Sequence, residues 1–161
     1  MANEQAAADG KQLTLNQLYL KDFSFESPKA PGVFGAQLDA RDIVDISSAV
    51  QEMDAGTVEV ALSVTVKAAS GDDTVFLIEV VQAGLFTMTG FTPAERHALL
   101  GSVCPGMLYP YVREAVADFT IRGGFPPLLL QAIDFNTLYA QTMQQRAAAA
   151  NAPPATDAAP Q

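Results

Sequence analysis

The sequence predicts an α+β fold, with four strands, read as antiparallel, in its first half and helices in its second. Two observations carry this. Between Thr57 and Met88 the apolar residues recur at period two, the mark of strands with alternate side chains on opposite faces. Beyond Thr92 they recur at spacings of three and four, the mark of helices.

Leu13 to Glu26 is the first strand. Its odd positions include Leu13, Leu15, Tyr19, Phe23 and Phe25, and its even positions end in Asp22, Ser24 and Glu26. Alternation then sets aromatic rings on one face and an acidic row on the other. Gln17, Leu18, Leu20 and Lys21 break the pattern, which calls for a bulge or a change of face. Ser27 to Gly35 holds Pro28, Pro31, Gly32 and Gly35, with Val33 and Phe34 as its apolar residues; it reads as an irregular crossover. Ala36 to Val50 is a second, more polar strand, with Leu38, Ala40, Val44 and Ile46 sharing one parity. Asp54-Ala55-Gly56 turns the chain into the third.

In the third strand Val58, Val60, Leu62, Val64 and Val66 alternate with Glu59, Ala61, Ser63, Thr65 and Lys67. Ser70-Gly71-Asp72-Asp73 is a turn, and Val75 to Met88 returns as the second arm of a hairpin. That arm is apolar on both faces. Phe76, Ile78, Val80 and Phe86 share one, and Val75, Leu77, Val81 and Leu85 share the other with Glu79. Such a strand needs cover on each side or keeps a surface for a partner.

Thr92 and Glu95 have capping-box spacing around Pro93, so a helix opens there. Cys104-Pro105-Gly106 is expected to break it. A longer helix is expected over Met107 to Arg122, with Pro110 in its first turn and Leu108, Tyr111, Val112, Ala115, Val116 and Phe119 as its stripe. Gly123-Gly124 ends it. Phe125 to Ile133 is an extended linker, and Asp134 caps a last helix with the stripe Phe135, Leu138, Tyr139, Thr142 and Met143. Residues 1–10 and 147–161 read as disordered tails, which leaves a single domain over 11–146.

Composition excludes several functions. Nine Lys and Arg stand against 18 Asp and Glu, a net charge of −9. Nucleic-acid binders need a positive surface, so no nucleic-acid partner is expected. Residues 1–10 lack the apolar core of a signal peptide, and no apolar run reaches the roughly 18 residues of a membrane span. A soluble cytoplasmic protein without membrane insertion is expected. His97 is the single histidine and Cys104 the single cysteine, so one chain cannot build a histidine-based triad, a two-histidine metal site or an internal disulfide. No enzyme activity, cofactor or metal is expected.

Four segments carry a family resemblance. They are Tyr19-Leu20-Lys21-Asp22-Phe23-Ser24-Phe25-Glu26-Ser27-Pro28 with Pro31, and Phe76-Leu77-Ile78-Glu79-Val80 with Gly84-Leu85-Phe86. The third is Cys104-Pro105-Gly106-Met107-Leu108-Tyr109-Pro110-Tyr111 with Arg113-Glu114, and the fourth Arg122-Gly123-Gly124-Phe125-Pro126-Pro127-Leu128 with Asp134-Phe135. In that order they resemble the SecB protein-export chaperones over nearly all of Leu13 to Gln145. The resemblance implies helices on one face of the sheet and a homotetramer built as a dimer of dimers. It implies an ATP-independent holdase that keeps precursor chains unfolded and hands them to SecA, the translocon motor. The alternative is an oligomeric small-molecule or lipid carrier, or a structural protein, of the same layered type.

Three sets of site residues are expected. If the aromatic faces point at the helices, Asp22, Glu26, Leu77 and Glu79 emerge on the outer face as an acidic patch around an apolar spot, suited to a basic segment. In the SecB family the matching positions receive the zinc-bearing carboxyl-terminal segment of SecA. A client groove is expected with Val33 and Phe34 on one wall, Phe135, Leu138, Tyr139 and Met143 on another, and Phe23 and Phe25 on the floor. The interface between protomers is expected to use Ile78, Val80, Gln82, Leu108, Tyr111, Val112, Ala115 and Phe119, with sheets of two protomers enclosing the long helices.

Overall fold

The third and fourth strands form the centre of the sheet, with inner rows that are apolar except at Gln82 and Gly84. The computed structural model describes residues 10–36, 39–54 and 56–151; residues 1–9 and 152–161 of the expected tails lie outside them, as do Leu38 and Ala55. β1 (Gln12–Glu26), β2 (Arg41–Glu52), β3 (Thr57–Ser70) and β4 (Asp73–Thr89) form one antiparallel sheet in the order β1-β4-β3-β2. The helices α1 (Pro93–Gly101), α2 (Val103–Arg122) and α3 (Phe135–Ala150) follow.

Register fixes which side chain meets which element. Val58, Val60, Val64 and Val66 of β3 pair with Phe86, Gly84, Val80 and Ile78 of β4, and all but Gly84 belong to the core cluster, together with Leu108, Val112 and Val116 of α2. α2 therefore lies on the inner face of the β3–β4 pair. Gly84 leaves room for side chains of α2 and β1: a Cβ there would sit 3.1 Å from Leu108 Cδ2 and 2.8 Å from Leu15 Cδ1.

β1 departs from the simple alternation read from its sequence. Its pairing with β4 shifts between Leu15 and Gln17 and again between Leu20 and Asp22. Each bulge puts two consecutive residues on one face. Leu13, Leu15, Leu18, Phe23 and Phe25 pack against the core, while Tyr19, paired with Ala83, belongs to the outer face and not with the phenylalanines.

The helices also differ from expectation at their boundaries. Thr92 and Glu95 do form the reciprocal capping box. The break falls at Ser102, however, and Cys104-Pro105-Gly106 is the first turn of α2. Proline is tolerated there because the first amides of a helix lack intrahelical acceptors. Pro110 consequently sits inside α2, not in its first turn. α2 buries Cys104, Leu108, Tyr109, Val112, Val116 and Thr120, whereas Tyr111 of the expected stripe is exposed. Burial pushes the Cys104 thiol up to about 12, which suits packing and not nucleophilic attack. Asp134 caps α3 by accepting from the amides of Asn136 and Thr137 at 3.0 and 3.3 Å. That helix runs on to Ala150, past the expected start of the tail at residue 147, because a run of alanines is the best helix former.

Candidate functional site

The linker from Phe125 to Ile133 decides where the apolar surfaces lie. It doubles back along α2, clamped by three hydrogen bonds that involve side chains. Tyr109 Oη donates to the Gln131 carbonyl at 2.6 Å, Arg113 Nε donates to the Leu130 carbonyl at 2.8 Å, and the Leu128 amide donates to Thr120 Oγ1 at 3.0 Å. One end of the linker enters a cluster of rings, and the other delivers α3 to the far half of β2.

At the first end, Phe125 lies 5.1 Å from Phe76, 5.4 Å from Phe34 and 6.5 Å from Phe25 between ring centroids. Phe34 also lies over Gly124, whose φ of +85° suits a residue without Cβ. Val33 is buried near Val75 and covers the β3–β4 turn. Phe23 stacks on Phe119 with centroids 3.8 Å apart.

At the second end a cavity of about 910 Å³ opens between β2, α1 and α3. Ile46 and Val50 of β2, Leu100 of α1, and Phe135, Leu138, Tyr139 and Met143 of α3 line it. Phe135 is buried, edge-on to Tyr109 at 5.5 Å, while Leu138 and Met143 are exposed. The mouth is polar. Arg96 makes a two-pronged contact with Glu52 at 2.6 and 2.8 Å, which holds the Glu52 carboxyl below its usual range and raises the Arg96 guanidinium. Tyr139 Oη and His97 Nδ1 lie 2.6 Å apart.

The structure thus divides the expected groove. Phe135, Leu138, Tyr139 and Met143 share one cavity. Val33, Phe34 and Phe25 gather at the crossover, and Phe23 joins α2. The linker connects the two regions along the chain. Sequence reasoning missed Ile46 and Val50 as the opposite wall. The parity of Val44 and Ile46 was the available signal, but it does not say which helix they face.

The outer face of the sheet holds the second expected set. Asp22 pairs with Val81, Ser24 with Glu79 and Glu26 with Leu77. Directly opposed residues on one face are about 5 Å apart, so Asp22, Glu26, Leu77 and Glu79 form one contiguous patch. Ser24 Oγ donates to Glu79 Oε2 at 3.3 Å. Lys67 of β3 pairs with Leu77 as the neighbouring cation.

The expected interface set is only partly available to a second copy. Ile78, Val80, Leu108 and Val112 have no exposed surface within one chain and Gln82 only 6%. The sheet and α2 of a single protomer bury them against each other. Tyr111 is exposed, Ala115 and Phe119 partly so. Val103, Met107 and Ile121 of α2 are exposed beside them.

The layered architecture is that of the SecB-like chaperones. A solved Mycobacterium tuberculosis SecB-like chaperone, in complex with a ChAD peptide from the HigA1 antitoxin, matches 77% of this chain and 91% of its own with a TM-score of 0.63 and 23% identity. The chain belongs to the SecB family: the model of that family, preprotein translocase subunit SecB, matches residues 5–146. It is 43% identical to the protein-export protein SecB of Methylococcus capsulatus, over 96% of this chain and 98% of that protein. It is 41% identical to that of Stenotrophomonas maltophilia, over 96% of this chain and 90% of that one. Among the described residues no helix is long and apolar enough to cross a membrane, and no group of three or more His, Cys, Asp or Glu is placed to hold a metal ion.

Proposed function

We propose that this chain is a cytoplasmic, ATP-independent holdase that binds unfolded precursor chains and delivers them to SecA. The observation that carries the reading is the cavity between β2 and α3, apolar within, with Leu138 and Met143 exposed. Methionine and aromatic surfaces adapt to many apolar sequences. The crossover rings, joined to the cavity by the linker, extend the binding surface for an extended chain. The names of the relatives, protein-export proteins, support export as the purpose.

SecA would dock on the outer sheet face, where Asp22, Glu26 and Glu79 surround Leu77 and Val81. An apolar spot rimmed by carboxylates suits a basic segment. The zinc of that segment would belong to SecA. A second copy would cover the exposed strip Val103, Met107, Tyr111 and Ile121 of α2, giving a tetramer as a dimer of dimers, with neither enzyme activity nor a cofactor of its own.

Titrating SecA into the wild type and Glu79→Lys by calorimetry tests the delivery step. The variant should bind SecA more weakly, hold clients equally, and lose its difference from wild type at high salt, since rim charges are screened over about 10 Å at 0.1 M. Equal SecA affinities at low salt would refute the docking face. Light scattering should give four times 17.0 kDa; a stable monomer at micromolar concentration would refute the assembly.

A further inference from the structure

Glu59 stands on the outer face of β3, opposite Leu85 of β4. Two side chains of β1 reach it across β4. Lys21 Nζ lies 2.6 Å from Glu59 Oε1, and the Tyr19 hydroxyl donates to Glu59 Oε2. Tyr19 pairs with Ala83, and Ala83 with Ala61, so small side chains on that row leave room for the crossing. Glu59 is sheltered there, its side chain 12% exposed. Partial burial and then the Glu59 carboxylate push the Tyr19 phenol up to about 12, and the Lys21 and Tyr19 hydrogen bonds hold the Glu59 carboxyl below its usual range.

The second bulge of β1 gives this triad its consequence. Leu20 pairs with Gln82 and Asp22 with Val81, so Lys21 is the extra residue. Lys21 and Asp22 therefore leave the strand on the same outer face. An ammonium next to Asp22 would weaken the acidic patch formed with Glu26 and Glu79. Glu59 draws it instead across the sheet.

We propose that Glu59 is a positioning residue: with Tyr19 fixing its second oxygen, it holds Lys21 away from Asp22, Glu26 and Glu79 and so keeps that face acidic for a basic partner segment. The inference rests on the docking reading above. A direct effect of the Glu59 charge on Glu79 is screened by distance. Glu79 and Leu85, the β4 partner of Glu59, are six positions apart on β4, about 20 Å at ~3.4 Å per residue. That is about twice the screening length at 0.1 M salt.

Calorimetric titration of SecA at about 0.1 M salt into wild type, Glu59→Gln, Lys21→Gln, the double variant and Glu79→Lys is the test. Glu59→Gln should weaken SecA about two- to fivefold, the worth of one exposed ion pair. Lys21→Gln alone should change little, and adding it to Glu59→Gln should restore wild-type affinity. Unchanged affinity in Glu59→Gln, or a double variant as weak as that single one at equal thermal stability, overturns the role of Glu59. If Glu79→Lys is also without effect, the docking face itself fails; if it weakens SecA, only the positioning role fails.

Discussion

The Cδ2–Cε2 edge of the Tyr139 ring of α3 lies against Gly101, the last residue of α1: a Cβ on Gly101 would fall 2.6 Å from Tyr139 Cε2. The same ring reaches His97 through its hydroxyl. Glycine at the helix end thus lets the aromatic side chain of α3 seat itself and close one side of the cavity.

Gly101→Ala should therefore loosen α3 without unfolding the sheet. Hydrogen exchange should quicken in the amides of α3 and stay slow in β3 and β4, because those strands pair with each other and pack mainly against α2. Unchanged protection of α3 would show that Tyr139 does not seat the helix.

Thr120 is a buried polar residue with no exposed surface, and its hydroxyl contacts the Val116 and Ala117 carbonyls at 3.0 and 2.9 Å while accepting the Leu128 amide. Thr120→Val keeps the shape but leaves that amide without a partner. Urea unfolding should show a loss of about 1–3 kcal/mol, the cost of a buried unsatisfied group. A loss under about 0.5 kcal/mol, the range of ordinary surface substitutions, would mean that the linker is held by other contacts.

Acid should destabilise the protein in a defined window. Lys21 and Tyr19 hold Glu59, Arg96 holds Glu52, and Lys11 with Thr92 holds Glu95, each below the ordinary value of 4.5. Thr137 does the same for Asp134 below 3.8. A depressed carboxyl stabilises the fold above its unfolded pKa, and this is lost as pH falls through the folded value. Urea midpoints should stay level from about pH 7 to 5 and fall below about 4.5, less steeply in Glu59→Gln. A flat profile down to about pH 3 would contradict these contacts.

The strands and helices were legible because each has its own period, and the shared face of Asp22, Glu26, Leu77 and Glu79 because the pairing from Asp22 to Glu26 runs on from the second bulge without a further shift. The faces of Tyr19 and Lys21 were not, since two bulges invert parity and alternation alone cannot place them. Val33 and Phe34 read as groove residues, but the ring that receives Phe34 is Phe125, brought there by Gly124 and the end of α2. Ile78 and Leu108 read as interface residues because apolar surface was counted against one thin layer. Leu108, Val112, Val116 and Thr120 recur every four residues and close that layer within the chain.

The most direct test of the account is the refolding rate of a reduced, slow-folding precursor with and without equimolar protein. The account predicts marked retardation of many unrelated clients, no binding of their native forms, and loss of the effect in Leu138→Ser/Met143→Ser. Unchanged refolding of every client, together with tight binding of a compact lipid or metabolite in the cavity, would contradict it.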